Sequence, residues 1–297
     1  MDAMPGPLSL LAIGETMVLV TPEVAEPLET ATAFRLDIAG AESNVASHLA
    51  RAGVPAAWAS AVGDDALGRR LVATLDKRGV DTSLVTIDAE APTGVLFKDP
   101  APHGTRVLYY RRGSAASRLG PTFAAGLPLA EAAIVHVSGI TAALSDSCRA
   151  MLDAVIAART KHGLPVSFDV NYRSGLWSPE VAGPVLLDLA RRCGLVFVGR
   201  DEAQTLWGTA TAAEVRALIG AGNRLVVKDG EVGAHAFAGG REDFVPADRV
   251  DVVEAVGAGD AFAAGYLAAD LAGEPPDRAL ERGHRFAARV LATTGDF

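Results

Sequence analysis

Gly257, Ala258, Gly259 and Asp260 stand in succession within the segment 254–269, EAVGAGDAFAAGYLAA. Three residues this small permit a tight turn in which successive backbone N–H groups converge. Residues 260–269 then continue as a helix with Phe262, Tyr266 and Ala269 on one side. Converging N–H groups at a helix N-terminus favour an anion, because unpaired donors and the helix dipole act together. An aspartate in that first turn lies beside the anion, and its carboxylate can accept a proton from a hydroxyl attacking phosphorus. The same four residues also fit a glycine turn with a helix-capping acid. The spacing matches neither a dinucleotide fingerprint nor a Walker loop. The six histidines form no H-E-x-x-H pattern, His136 sits in an apolar run that suits a core histidine, and no G-x-S-x-G elbow is present.

The elements that must hold these residues follow from periodicity. Residues 8–13 form an apolar run ending at Gly14, a buried strand. Weak alternation over 15–39, broken by Pro22 and Pro27, predicts short exposed strands. Residues 41–52 read as a helix closed by Gly53, 56–63 as a strand, and 67–78 as a helix capped by Asp64 or Asp65 and closed by Gly79. Residues 93–112 predict a hairpin around a turn with Pro100, Pro102 and Gly104. Strands and helices then alternate, and the helix at 258–269 is the last clear element. This pattern predicts an α/β fold with a mostly parallel central sheet covered on both faces. Ligands in such sheets bind beyond the carboxyl ends of the strands. Gly14, Asn171, Arg173, Glu202, Lys228 and the 256–260 turn all fall there. The expected division is a core of 1–15, 40–91 and 118–297, with a small β-sheet lid from 16–39 and 92–117.

Composition narrows the partners. The chain has 297 residues, 49% of them hydrophobic and 21% charged, with a formal net charge of −9. No basic field for nucleic acid is expected, so anions must be met by local N–H clusters and individual cations. No apolar stretch approaches membrane-spanning length. Asp2 near the start argues against a signal peptide, and only Met1 to Pro7 look unstructured. Cys148 and Cys193 are the only cysteines, which implies no disulfide framework and a reducing cytoplasm.

VGAGDAFAAGY, residues 256–266, resembles the C-terminal signature of the ribokinase-like (PfkB) carbohydrate kinases. AGAESNVASHLARAG, residues 39–53, resembles that family's N-terminal signature, with Ala39 in place of a glycine. IGETMVL, YYRRGSAAS, HVSGITAALS and DVNYRSGLWSP are similar to segments of the 2-keto-3-deoxygluconate kinases within it. The resemblance covers nearly the whole chain and implies a three-layer ribokinase-like fold. It makes Asp260 the base and gives Gly257, Ala258 and Gly259 to the transferring phosphoryl group. It assigns Gly40, Ala41, Asn44, Tyr109, Tyr110, Arg111, Ile140 and Arg173 to the sugar. Asn44 can donate and accept, which suits a hydroxyl, and it can equally cap a helix. Arg111 and Arg173 can each fork onto a carboxylate, though an intrachain salt bridge is an arginine's commoner fate. ATP is expected against Asn171, Lys228, Gly230, Gly233, Gly257, Gly259 and His284. Glu202 is expected to order Mg2+ through water. Gly199 stands where relatives carry an asparagine, with nearby acids to compensate, and K+ is a further candidate cation.

The activity so implied is ATP-dependent phosphorylation of the terminal hydroxyl of 2-keto-3-deoxygluconate. Fructose, ribose or the galactonate epimer are alternative acceptors. A non-catalytic sugar or nucleotide sensor is a second class of reading, suggested by Gly199, by His284 in place of an asparagine, and by an end at Phe297 that omits part of the usual C-terminal helix. The exposed face of the lid sheet implies a homo-oligomer joined through it.

Overall fold

The computed structural model describes residues 8–101, 104–250, 252 and 256–292. Pro102, Glu254, Ala255 and both chain ends, where some of the expectations above fall, lie outside them. Strand β1 (Leu10–Ile13) leads into β2 (Met17–Pro22) and β3 (Phe34–Ala39). Helix α1 (Ala41–Arg51), β4 (Ala56–Gly63), α2 (Ala66–Lys77) and β5 (Val85–Asp88) follow. The hairpin β6 (Val95–Ala101) and β7 (Gly104–Tyr110) precedes a short α3 (Pro121–Ala125). Then come β8 (Ile134–Ser138), α4 (Gly139–Leu144), α5 (Asp146–Lys161), β9 (Val166–Asp169), α6 (Pro179–Arg192) and β10 (Leu195–Gly199). Helices α7 (Arg200–Trp207) and α8 (Ala212–Ile219) lead to β11 (Arg224–Asp229) and the hairpin β12 (Gly233–Ala238) and β13 (Arg241–Pro246). Helices α9 (Ala258–Leu271) and α10 (Pro276–Leu291) come last among the described residues.

The main sheet has nine strands in the order β13-β12-β11-β10-β9-β8-β1-β4-β5. It is parallel from β5 to β11 and antiparallel through β12 and β13. Strands β4, β8 and β10 are buried at every position, as helices on both faces require. Leu11, Ile13, Val135, Val196 and Val198 share one core with residues of α5, α6 and α8. Leu10, Ala12, Ile134, Leu195 and Phe197 share the other with residues of α1, α2, α9 and α10. The fold is therefore three-layered, α/β/α. Helix α9 is buried almost all round, because it lies against the sheet and between α1 and α10. Its small residues permit that: a Cβ on Gly265 would lie 2.5 Å from the carbonyl oxygen of Arg282.

A separate four-stranded sheet, β3-β2-β6-β7, is built from the two segments flanking α1 to β5. Met17, Leu19, Ala39 and Leu96 form its own small core.

Several elements depart from the expectations. Helix α10 follows the helix that looked last. Its buried stripe, Ala279, Leu280, Gly283, His284 and Val290, is set in a helix that also carries four arginines and two acids. Helix α4 intervenes before α5, and β5 and α8 are additional. Asn44 does not cap a helix: it lies within α1, whose N-cap is Gly40.

Candidate active site

A cavity of about 1320 Å3 opens along the carboxyl ends of β1, β9, β10 and β11. The small sheet walls one side with Met17, Leu96, Lys98, Val107 and Tyr109, and the first turns of α1 and α9 wall another. Gly40, Ala41, Asn44, Tyr109, Arg111, Ile140, Asn171, Arg173, Glu202, Lys228, Gly230, Gly233, Gly257, Ala258, Gly259, Asp260 and His284 all line it. Residues drawn from both ends of the sequence are thus brought together in one space.

Asp260 sits in the first turn of α9 and is 8% exposed. Gly257 is the N-cap, at φ 83°, a left-handed conformation that favours glycine. No side chain caps this helix, so the N–H groups of its first turn face the cavity end unclaimed by a cap. Asn44 Nδ2 donates to Asp260 Oδ2 at 2.9 Å. Burial pushes the Asp260 carboxyl up to about 7. The Asn44 bond, Arg173 and Lys228 work against that rise, and Asp169 adds to it. The carboxylate is thus poised to exchange a proton near neutrality.

Lys228, at the end of β11, donates to Asp169 Oδ2 at 2.8 Å. Burial opposes the lysine's charge, but Asp169 and Glu202 outweigh it and hold the ammonium above its usual range. Asp169 Oδ1 is buried and has no partner among the described residues. Glu202 accepts from the backbone N–H of Gly199 at 2.7 Å and of Tyr172 at 2.9 Å. Burial raises its carboxyl, and Lys228 opposes the rise. A Cβ at Gly199 would lie 2.6 Å from Oδ1 of the exposed Asp201, a contact that rotation of that side chain would relieve. Asn171, between Asp169 and Arg173, has φ 38°, the one positive value among described non-glycine residues. Such local strain collects at functional sites.

The two arginines differ. Arg111 is 8% exposed, and its Nε donates to Glu15 Oε2 at 2.6 Å, with an Nη also on that oxygen. Ser114 donates to the other oxygen of Glu15. The fork expected to await a carboxylate is therefore already held by one within the chain. Arg173 is exposed, lines the cavity and makes no ion pair among the described residues. His284 Nε2 contacts the carbonyl oxygen of Val245 at 3.1 Å, and its ring stands edge-on to Phe262 at 5.1 Å. Burial lowers its affinity for a proton, so it faces the cavity as a neutral ring.

One expected residue stands elsewhere. Tyr110 is 65% exposed, does not line the cavity, and packs edge-on against Phe97 at 5.6 Å. Neighbours along a strand point to opposite faces, so Tyr109 and Tyr110 cannot both face the site. His136 is a core residue, as expected: it is 1% exposed, contacts Ser167 Oγ at 2.9 Å, and burial depresses it to about 4.

Sequence reasoning gave no role to Glu15, Glu42 or Asp169. Glu42 is buried in the first turn of α1, where its Oε1 accepts from Ser138 Oγ at 2.7 Å and Thr141 Oγ1 at 2.9 Å. It fixes the start of α1, and hence Asn44, to the end of β8. A Cβ on Gly14 would collide with its carboxyl at 2.1 Å, which accounts for a glycine after β1. An acid in the first turn of a helix reads as a dipole partner, so its sequence signal was masked.

The comparisons agree with this geometry. The model of the pfkB family carbohydrate kinases matches residues 8–296. A 2-dehydro-3-deoxygluconokinase of Thermoproteus tenax is 36% identical over 97% of this chain and 90% of its own. A 2-dehydro-3-deoxygalactonokinase of Haloferax volcanii is 35% identical over 97% of this chain and 92% of its own. The crystal structure of a PfkB protein from Polaromonas sp. JS666 superposes with a TM-score of 0.88 at 34% identity, covering 97% of each chain. With two signature segments meeting across one cavity, the chain belongs to the pfkB family of carbohydrate kinases.

Proposed function

We propose that this kinase transfers the γ-phosphoryl group of ATP to the terminal hydroxyl of 2-keto-3-deoxygluconate, with Asp260 as the base. The observation that carries the reading is a buried carboxylate beside a helix N-terminus with no side-chain cap, in a cavity also lined by Arg173, which has no ion-pair partner among the described residues. Asp260 takes the hydroxyl proton as the oxygen bonds to phosphorus, and the bond to the departing ADP breaks with its electron pair. The N–H groups of Ala258, Gly259 and Asp260, with Lys228, meet the charge on the moving phosphoryl group. We assign the nucleotide to the part of the same space lined by Asn171, Gly230, Gly233 and His284.

Arg173 is the partner we assign to the substrate carboxylate, since it makes no ion pair among the described residues and Arg111 is engaged by Glu15. Arg111 and Tyr109 then offer hydrogen bonds to other oxygens. Asn44 Oδ1 is buried without a partner among the described residues, and a sugar hydroxyl would satisfy it.

The donor set also fits Mg2+. No cluster of three or more metal-ligating side chains occurs among the described residues. Mg2+ bound by phosphates and waters needs only one or two carboxylates, and the partnerless Asp169 Oδ1 with Glu202 would supply them through water. When bound, the ion neutralises phosphate charge.

The galactonate epimer is the second reading, favoured by the Haloferax relative. Nothing in the named contacts separates epimers at one carbon. We also infer association through the small sheet, whose outer face leaves Tyr110 65% and Phe34 40% exposed. Size-exclusion chromatography of a Tyr110→Asp variant tests that association.

The deciding experiment incubates the protein with ATP, Mg2+ and a panel of keto-deoxy acids and neutral sugars, with products weighed by mass spectrometry. A phosphorylated keto-deoxy acid is expected. Asp260→Asn should lower kcat by about 10²–10⁴-fold. A base raised to about 7 is anionic above that pH, so kcat/KM should climb through pH 7 and level off above it. Phosphorylation of neutral sugars alone would refute the substrate assignment.

A further inference from the structure

Asn44 makes a bond that substrate binding does not explain. Its amide nitrogen reaches across from α1 to the base on α9 at 2.9 Å, and the two residues are 3% and 8% exposed. Helix α1 is not free to shift: Glu42, in the same turn, is locked to Ser138 and Thr141. A Cβ on Gly40 would meet the backbone of Glu15 at 2.6 Å, so the start of α1 lies tight against the chain entering β2. Asp260 Oδ2 is therefore held by a fixed donor, whereas Oδ1 receives no hydrogen bond from any described residue.

We propose that Asn44 is a positioning residue of the base, its Nδ2 holding Asp260 Oδ2 so that Oδ1 is the oxygen that takes the substrate proton. The idea rests on the kinase reading above and adds to it a division of labour within one carboxylate. A donor on one oxygen does two things. It fixes the rotation of the carboxylate, so that the free oxygen meets the incoming hydroxyl without a search. It also favours the anion, the form that can act as a base, against the burial that disfavours it.

The charged surroundings bear on the second effect. Asp169 on β9 raises the Asp260 carboxyl further, while Arg173 beyond β9 and Lys228 on β11 lower it. Glu202 on α7 acts on Lys228. On α10, His284 lies beyond Phe262 and is held neutral by burial. On α1 itself, Glu42 is engaged by hydroxyl donors. Across the cavity Glu15 and Arg111 neutralise each other. Among these, the Asn44 bond is the largest influence favouring the charged carboxylate.

The test is the pH dependence of the single-turnover rate at saturating sugar, for wild type, Asn44→Ala and Asn44→Asp. Saturation removes any effect through sugar affinity. Asn44→Ala loses the donor, so the acid limb should move up by about one pH unit. The rate below that limb should fall about tenfold and recover at high pH. Asn44→Asp keeps the shape and replaces the donor by a second carboxyl, so its limb should move further in the same direction. Asn44→Asp also stands in should the alanine variant fail to fold. An acid limb unmoved in both variants, with only KM raised, would overturn the proposal and leave Asn44 as a sugar contact. Failure of wild type on every sugar, or full activity of Asp260→Asn, would instead strike the kinase reading itself.

Discussion

At the scale of single residues, the contrast between the two arginines decides how an acidic substrate is recognised. Arg111 carries a partner of its own, and Arg173 has no ion-pair partner among the described residues. Arg173→Ala should raise KM for a keto-deoxy acid by about 10–100-fold, the worth of a charge-assisted hydrogen bond. Neutral sugars should be affected little. Steady-state kinetics on one sugar of each kind measures this, and an equal loss on both would remove the carboxylate role. In the sequence both arginines looked equivalent, because nothing near Arg111 shows that a glutamate 96 positions away will meet it. The tight turn at Gly257 with an acid in the first turn of the next helix was legible from residue type and adjacency, whereas the role of base came from the resemblance. Tyr110 was misread because a run of two tyrosines does not reveal which strand face looks inward.

At the scale of elements, the parallel strands of the main sheet other than the half-exposed β5 were readable as apolar runs, and the hairpin by its turn residues. Helix α10 was not, because its polar residues are dense and its buried stripe relies on Gly283 and His284. Their place there comes from α9. A Cβ on Gly283 would approach the Phe262 ring to 2.9 Å, and one on Gly265 would approach Arg282 backbone to 2.5 Å. These glycines set the distance between the last two helices. Gly265→Ala should force them apart at a cost of about 1–3 kcal/mol. Since Asp260 begins the same helix, kcat should fall as well. Denaturant unfolding together with kcat checks both, and an unchanged midpoint would contradict the close packing. Arg159 is a comparable device on the opposite face: it is fully buried and donates to the carbonyl oxygens of Leu129, Ala132, Ala133 and Pro165. Arginine at the end of an amphipathic helix reads as a solvated charge, so no sequence signal announces it.

At the scale of the whole molecule, two sheets meet along one line and the buried Glu15–Arg111 pair crosses it. Glu15 leaves the end of β1 in the main sheet, and Arg111 follows β7 in the small one. Removing one member strands the other as a buried charge. Glu15→Ala should therefore cost about 3–5 kcal/mol, visible as a lower Tm, whereas a loss under about 1 kcal/mol would mean that water reaches the pair. A net charge of −9 makes an acidic substrate unwelcome over most of the surface. Lys98, Arg111, Arg173, Lys228 and Arg249 place cations around the cavity itself.

Strands β1, β9, β10 and β11 of the parallel sheet deliver polar residues to the same side at their carboxyl ends. The far edge holds the connections at 52–55, 162–165 and 220–223, where Gly163 and Gly222 have open space around them. That edge is the molecule's handle: chain can be lengthened, tagged or tethered there while the reacting groups stay where the strand ends put them.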